Sequence, residues 1–347
     1  MSLQDNSKKS KLPLRLWFCD FPGPFNPLRL TQLLETRYQI IPDPDSPDYV
    51  IHSVFSRNFL RYDRAIRIFF TGENVHPDFN ICDYAFGFDR MTFGDRYNRC
   101  PNYVLYDHYD ELRRRQRTDD AQHSERAMFC NFIYSNRGGH PYRDEFFRML
   151  SKYKFIHSPG AHLNNVQDTI APAYSNDWCT PKVQYQSRFK FSFAFENSSS
   201  PGYTTEKLVH ALAADTIPIY WGDPDVHLNF NTRRFINMHE LTPEQAIDRV
   251  VQLDTNATLY RAVLQEPYFP LHPAHTPLSS EILLDQFSEI LARPLLKARR
   301  RNQHFWGERY EREARDAACA VSFLSNRRPT ALAARLLYKL WRGRGDT

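Results

Sequence analysis

Residues 189–226 read FKFSFAFENSSSPGYTTEKLVHALAADTIPIYWGDPDV, which passes from strand to polar turn to helix to second strand. Phe189, Phe191, Phe193 and Phe195 recur at period two, and Ser192 and Ala194 between them are small enough to let a sheet pack closely. Ser, Pro and Gly gather over residues 197–203, as a turn requires. Thr204 or Thr205 is placed to N-cap a helix whose apolar face is Leu208, Val209, Ala211, Leu212 and Ala213, ending near Asp215. Residues 217–221 complete the second strand. In such a βαβ unit the loop after the first strand faces a crevice, and the helix start offers free N–H groups and partial positive charge suited to a phosphate.

The side chains of that loop fit a ligand. Asn197 can read a hydroxyl or a base edge, Tyr203 can stack or donate, Glu206 can accept two sugar hydroxyls, and Lys207 can neutralise phosphate charge. A purely structural reading fits as well, with Asn197 and Glu206 capping the turn and helix and Lys207 solvated.

Phe195-Glu196-Asn197, Gly202-Tyr203, Thr205-Glu206-Lys207 and Ile217-Pro218-Ile219-Tyr220-Trp221-Gly222, in that order, resemble the signature of the α-1,3-fucosyltransferases (glycosyltransferase family 10), the bacterial branch in particular. Phe70-Thr71-Gly72-Glu73-Asn74, continuing through Phe79-Asn80 and Asp83-Tyr84-Ala85-Phe86-Gly87-Phe88-Asp89, resembles the family's amino-terminal motif. Ser135-Asn136 followed by Arg143 is similar to the segment that carries its phosphate-contacting arginine. The resemblance runs in order from about residue 65 to about residue 240. It implies the GT-B architecture, two Rossmann-like α/β domains facing a cleft, and an inverting transfer of L-fucose from GDP-β-L-fucose to O3 of GlcNAc in N-acetyllactosamine-type glycans, a Lewis x type product. Ser198-Ser199-Ser200-Pro201 departs from the family's glycine-containing turn.

A chain of 347 residues with 41% hydrophobic and 14% aromatic content suits two domains with their own cores. Apolar runs at residues 14–18, 49–54, 66–71, 84–88 and 103–106 predict strands of an N-terminal α/β domain, residues 1–125, which shapes the acceptor site and carries the base. Residues 111–125, with Arg113, Arg114, Arg115, Arg117, Asp119 and Asp120, read as a polar linker. A C-terminal donor-binding domain follows over residues 126–290: a strand at 128–134, a helix at 142–153, a strand at 154–157, the opening motif, and a helix begun by the capping box Thr242-Pro243-Glu244-Gln245.

Residues 291–347 hold 14 Lys and Arg against 5 Asp and Glu, a net of +9 where the whole chain is +5, so the rest of the chain is acidic. Within them ALAARLLYKLWR, residues 331–342, sets Arg335, Lys339 and Arg342 on one helical face and Leu332, Leu336 and Leu340 on another. Such a basic amphipathic helix suits docking on an anionic membrane. A last helix packed on the core is the alternative, and no motif accompanies the charge that would point to nucleic acid. No apolar run reaches the 18 or so residues of a membrane span, the first residues make no signal peptide, and Cys19, Cys82, Cys100, Cys130, Cys179 and Cys319 form no CxxC pair. The expectation is a peripheral enzyme of the bacterial cytoplasm, at the inner face of the membrane, in lipopolysaccharide or other surface-glycan synthesis.

Inverting transfer needs a base for the acceptor hydroxyl and cations for the leaving diphosphate. The resemblance implies Glu73 as the base. Arg143, as a fork, and Lys207, as a point charge, would hold the GDP diphosphate. Asn197, Tyr203 and Glu206 would position fucose, ribose or phosphate. Asp223-Pro224-Asp225 has the DxD form by which another glycosyltransferase architecture holds a metal, and it is also ordinary turn chemistry, as is Asp43-Pro44-Asp45. The 13 histidines show no ligand spacing such as HExxH, and neither metal nor cofactor is expected to be required, a divalent ion at most stimulating. Rival readings are a glycoside hydrolase with Glu73 and Glu206 as its carboxylates, a transferase of α-1,3/4 linkage or with another GDP-sugar or acceptor, and a non-catalytic glycan-binding module.

Overall fold

A computed structural model describes residues 11–22, 27–115, 126–168, 170, 178–271 and 278–326. Two parallel sheets carry the fold. The first has six strands, β1 (Leu12–Cys19), β2 (Tyr38–Pro42), β3 (Tyr49–His52), β4 (Ile66–Phe70), β5 (Tyr84–Gly87) and β6 (Tyr97–Arg99), in the order 2-1-3-4-5-6. The second has five, β7 (Met128–Asn131), β8 (Ile156–His157), β9 (Phe189–Phe195), β10 (Ile217–Trp221) and β11 (Ile236–Asn237), in the order 11-10-9-7-8. Every pairing is parallel. Strands β3, β4, β5 and β10 are buried along their whole length, as a sheet covered on both faces demands.

The connecting helices are α1 (Leu28–Glu35), α2 (Asp107–Arg114), α3 (Pro141–Leu150), α4 (Cys179–Gln186), α5 (Glu206–Ala213), α6 (Pro243–Thr255), α7 (Ala257–Gln265), α8 (Ser280–Leu291), α9 (Leu295–Ala298) and α10 (Trp306–Asn326). On β9 the even-spaced Phe191, Phe193 and Phe195 join one apolar cluster with Phe146 of α3 and Ile219 of β10. Ala194, on the opposite face, joins a second cluster with Leu208, Leu212 and Tyr220. The small residues let α5 lie close to its strand. The capping box at α6 forms in full: Gln245 N donates to Thr242 Oγ1 at 3.3 Å and Thr242 N to Gln245 Oε1 at 2.9 Å.

Three features differ from the sequence reading. Residues 103–106 are not a strand: Asn102–Leu105 make a 3₁₀ turn after Pro101. Adjacent Tyr103 and Val104 are both buried, which a turn allows and the alternation of a one-sided strand does not. Residues 111–114 belong to α2, whose Tyr109 and Leu112 pack into the core, so no linker starts at 111; residues 116–125 lie outside the described residues. The boundary at 290 also gives way. From α8 the chain returns to the first sheet, where Leu283, Leu284, Phe287 and Ile290 pack with Leu14, Ile51 and Phe86. Phe287 stacks on Phe86 at 3.9 Å between ring centres. Beyond it Arg300 pairs with Asp95 at 2.7 Å, Arg301 with Asp83, and Glu311 of α10 with Arg67 at 2.7 Å. Asp83, Arg67 and the Arg301 side chain have no solvent exposure, and burial at that depth requires paired charges. Residues 331–342 lie outside the described residues.

Candidate active site

The carboxyl ends of the two parallel sheets meet, and the loops they project form the site. Strand β4 ends at Phe70. Thr71 Oγ1 then accepts Glu73 N at 3.1 Å and the Ser53 hydroxyl at 3.1 Å, which sets the tight turn that lifts Glu73 off the strand. A Cβ on Gly72 would stand 3.0 Å from Asn102 Nδ2, so the backbone passes close to the 3₁₀ turn. Glu73 is half-buried.

Opposite it, the loop after β9 is fixed from both ends. Asn74 Nδ2 donates to Ser198 Oγ at 2.8 Å, and the Tyr203 hydroxyl donates to Gly72 O at 3.3 Å. The Tyr203 ring meets Phe88 edge-on at 5.1 Å. Burial, and then the nearby carboxylates of Glu196 and Glu73, push the Tyr203 phenol well up from its usual range. Tyr203 stays a neutral donor between the two loops, with the Glu73 carboxylate close enough to act on its charge.

The centre of this second side is Glu196, fully buried directly after β9. Its carboxylate accepts Thr205 N at 2.7 Å, Thr205 Oγ1 at 2.6 Å and Lys207 Nζ at 3.1 Å. Lys207 Nζ also lies 3.7 Å from Glu206 Oε1, and Lys182 Nζ lies 3.8 Å from the same oxygen. Burial opposes the charge on Lys207, but Glu196 and Glu206 outweigh it and hold the ammonium well above its ordinary value. Burial raises the Glu196 carboxyl. In Glu206 the same burial is overcome by Lys207 and Lys182, which lower it. Thr205 is the N-cap residue of α5, as the sequence predicts, yet its hydroxyl binds Glu196 rather than the helix backbone. The start of α5 is therefore already faced by carboxylates, and an arriving phosphate would rely on Lys207 and Lys182 more than on free N–H groups.

Arg143 sits deeper than the sequence reading placed it. Its side chain has no exposure: Nη2 donates to Asn136 O at 2.9 Å, Nε to Asp144 Oδ1 at 3.2 Å, and Nη1 lies 3.5 Å from Asn197 Oδ1. Its guanidinium lies over the Tyr134 ring at 4.6 Å. A Cβ on Gly139 would come within 2.5 Å of Arg143 Nη1, so loop 136–140 closes directly over it. Only Nη1 is turned to Asn197, and a two-toothed grip on a diphosphate requires loop 136–140 to release Nη2. Asp144 is in turn held by His162, whose Nε2 is 2.8 Å from Oδ2. All six residues singled out in the sequence thus converge on the facing loops, with Arg143 and Asn197 as one pair and Tyr203, Glu206 and Lys207 around Glu196.

Sequence reasoning passed over Glu196, Lys182 and Arg90. Glu196 carries a signal, an acidic residue directly after a strand with Phe at every second position. The first carboxylate of the DxD segment is taken up by protein groups. Asp223, almost fully buried, accepts Arg90 Nη2 at 2.8 Å, Gly202 N at 2.7 Å and Asp225 N at 2.8 Å. Among the described residues no group of three or more His, Cys, Asp or Glu side chains is arranged to hold a metal ion. A cavity of about 520 Å³ beside β11 and α6, lined by Asn237, Glu240, Gln245 and Arg249 among others, includes none of the six site residues. Position at the strand ends and charge, rather than cavity size, mark the site.

Residues 16–106 match the model of the alpha-(1,3)-fucosyltransferase FucT N-terminal domain, and residues 123–268 that of the glycosyltransferase family 10 (fucosyltransferase) C-terminal region. The chain is 29% identical over 313 residues to alpha-(1,3)-fucosyltransferase FucT of Helicobacter pylori, covering 76% of this chain and 62% of that protein. It is 26% identical over 263 residues to a putative fucosyltransferase of Acanthamoeba polyphaga mimivirus, covering 74% and 41%. It therefore spans less than two thirds of either relative's length. A crystal structure of an alpha1,3-fucosyltransferase with GDP-fucose superposes with a TM-score of 0.67 at 28% identity, over 84% of this chain and 94% of that one. A second crystal structure of an alpha1,3-fucosyltransferase gives a TM-score of 0.68 at 26% identity, over 88% of this chain and 96% of that one.

Proposed function

The chain belongs to the fucosyltransferases of glycosyltransferase family 10, and on that premise we propose that it is an inverting α-1,3-fucosyltransferase using GDP-β-L-fucose. The acceptor is the O3 hydroxyl of GlcNAc in an N-acetyllactosamine-type glycan. The observation that carries the reading is the meeting of the Glu73 loop with the 197–207 loop, held by Asn74 on Ser198 and Tyr203 on Gly72. The Glu73 carboxylate of one half thereby stands on a loop joined to Tyr203 of the other, and Tyr203 leads into the Glu196, Glu206 and Lys207 cluster.

In the reaction Glu73 takes the proton of the acceptor hydroxyl as its oxygen bonds to C1 of fucose. The C1–O bond to the diphosphate breaks on the opposite face, and GDP leaves with the bonding pair. Lys207, with Lys182 behind it, faces the departing charge, and Arg143 holds Asn197 toward it. Tyr203 and Glu206 orient the sugar or ribose hydroxyls. No residue in this scheme needs a metal or cofactor.

Incubation with GDP-fucose and N-acetyllactosamine, read by mass spectrometry, should give a product one fucose heavier. Glu73→Gln should lower turnover by about 10²–10⁴-fold, the usual contribution of a general base, while GDP binding by calorimetry persists. Turnover near that of the parent would sink the assignment of the base, and absence of product from the parent with any such acceptor would sink the function.

The setting is surface-glycan synthesis, lipopolysaccharide carrying Lewis-type antigen, at the inner face of a bacterial cytoplasmic membrane. The net +9 of residues 291–347 and the amphipathic pattern at 331–342 support it; no described helix is long and apolar enough to cross a membrane. Flotation with anionic liposomes tests this by comparing the full chain with one ending at residue 326, since residues 280–315 hold the first sheet. Equal flotation of the two would remove the role of residues 331–342.

A further inference from the structure

Arg90 follows β5 in the first half of the chain, and Asp223 follows β10 in the second. Their side chains meet in a two-toothed pair, Nη2 to Oδ2 at 2.8 Å and Nη1 to Oδ1 at 3.3 Å. The guanidinium also reaches Asp225 O at 3.1 Å and Asn229 Oδ1 at 2.9 Å, and Arg99 from β6 donates to the same Asn229 oxygen at 3.0 Å. Asp223 is 1% exposed and the Arg90 side chain 18%. A fork so engaged and so shielded from water is a rigid joint and not a surface ion pair.

The joint is coupled directly to the donor loop. Oδ1 of Asp223, the oxygen facing Arg90 Nη1, also accepts Gly202 N at 2.7 Å. Gly202 has φ +88, a conformation side-chain-bearing residues rarely adopt, and a Cβ there would stand 2.5 Å from Phe88 O. The donor loop is thus pressed onto the backbone two residues before Arg90, and Arg99 Nε fixes that same Phe88 carbonyl at 3.2 Å. The next residue is Tyr203, whose hydroxyl holds Gly72 O, the carbonyl immediately before Glu73. An unbroken path therefore runs from Arg90 through Asp223, Gly202 and Tyr203 to the backbone that carries the base.

The geometry points to the Arg90–Asp223 pair as a latch across the cleft, a pair of positioning residues that fixes the distance between the donor loop and Glu73. The Asp-Pro-Asp segment then has a use unrelated to metal: Asp223 receives the latch arginine, and Asp225 N caps the same carboxylate. The inference rests on the proposed transfer reaction for its catalytic consequence, but the latch itself is a statement about loop order.

The test uses the full chain with Asp223→Asn, which keeps the shape and removes the charge, and Arg90→Lys, which keeps the charge and removes the fork. Hydrogen–deuterium exchange of the ligand-free protein should accelerate in peptides covering both residues 198–206 and residues 70–75 in each variant, with β7 and β9 unchanged. Fucosyl transfer, expressed per GDP-binding site counted by calorimetry, should lose about a hundredfold in kcat for Asp223→Asn, the scale of a displacement of about 1 Å at a reacting centre, while KM for GDP-fucose shifts less than about threefold. A loss of kcat in Arg90→Lys, which keeps the charge, supports the fork. A merely structural role would lower the number of binding sites and leave kcat per site intact, and that result overturns the inference. So does unchanged exchange in the two loops, whatever the activity. A parent protein that shows the exchange difference but transfers no fucose retains the latch and refutes the reaction it serves.

Discussion

Replacing Lys207 by Met should damage stability and donor binding together, and a second substitution should separate them. Lys207 Nζ stands 3.1 Å from Glu196 Oε2 and 3.7 Å from Glu206 Oε1, with both carboxylates buried. At an effective dielectric near 20 each contact is on the order of 4–5 kcal/mol before desolvation. Removing the cation leaves Glu196 with only its two Thr205 donors and brings it under the repulsion of Glu206. Breaking one partner out of such a pair costs about 3–5 kcal/mol, which in a cooperative unit of 150–250 residues is a fall of about 6–20 °C in Tm. Glu196→Gln alone should cost less, about 2 kcal/mol, because Lys207 keeps Glu206 and the amide oxygen can still accept from Thr205. In the double variant, Lys207→Met with Glu196→Gln, no buried charge is left without a partner, since Glu206 retains Lys182 at 3.8 Å. Its Tm should lie above that of Lys207→Met alone. Binding of GDP should remain weakened by about 10–100-fold in both, since neither carries the cation proposed to meet the diphosphate. Differential scanning fluorimetry and calorimetric GDP titration supply the two readouts. If Lys207→Met melts within a degree of the parent, or the double variant loses the sum of the two single losses, the charge cluster is not the coupled unit described.

Gly222→Ala should destabilise the protein by about 1–3 kcal/mol, the range for an overpacked core. The new methyl would overlap Glu196 Cγ and lie 2.9 Å from both Glu196 Cβ and the Tyr220 hydroxyl. GDP affinity should fall with it as the carboxylate under Lys207 is displaced, and an unchanged Kd would show that Glu196 does not set the position of Lys207. His52 gives a pH dependence. It stacks on Phe59 at 3.7 Å, and burial, reinforced by Arg67 and Arg301, lowers its pKa from 6.5 to about 3. The unfolded chain therefore takes up a proton below pH 6.5 that the folded chain refuses until about pH 3, so stability falls as pH falls through that window. The loss is up to about 1.4 kcal/mol per pH unit, or about 2 kcal/mol between pH 7 and pH 5. Urea midpoints at pH 7, 6 and 5 should fall less steeply for His52→Phe by that amount, and parallel slopes would show that His52 is not held neutral.

The donor half was legible because its signal is local. Four Phe at period two and a following amphipathic helix specify β9 and α5 within one continuous segment, and a Thr-Pro-Glu-Gln run specifies its own helix start. What was not legible depends on contacts between distant residues. Arg90 meets Asp223 across 133 positions, and Arg301 meets Asp83 across 218. Neither arginine has a neighbour in sequence that marks it. The Asp-Pro-Asp segment shows the difficulty in one place: turn chemistry and a metal motif share the same letters, and nothing in them announces that Arg90 and Gly202 N arrive at Asp223. Arg143 stands beside Asn197, but its burial under loop 136–140 follows from packing against Tyr134 and Gly139, which no local pattern marks. Edge strands β2 and β6 escaped because YQIIP and YNR are short and lack clean alternation.

The return of the chain from α8 onward has a consequence for how the cleft is built. Two α/β halves joined by a single passage could swing freely, since short linkers resist rotation weakly. Here the chain passes between them twice, between α2 and β7 and again between α7 and α8, and the second passage ends in two buried ion pairs against the first sheet, Asp83 with Arg301 and Arg67 with Glu311, and an exposed one, Asp95 with Arg300. One apolar cluster also runs through both halves, from Leu14 and Phe86 to Leu208 and Tyr220. The base of the cleft is thus closed by apolar packing, and the freedom that remains lies at its mouth, in the loops that carry Glu73, Asn197 and Tyr203. Arg90 with Asp223 latches that mouth, and the single hydrogen bond of Asn74 to Ser198 is the contact that can part and reform when a nucleotide sugar enters.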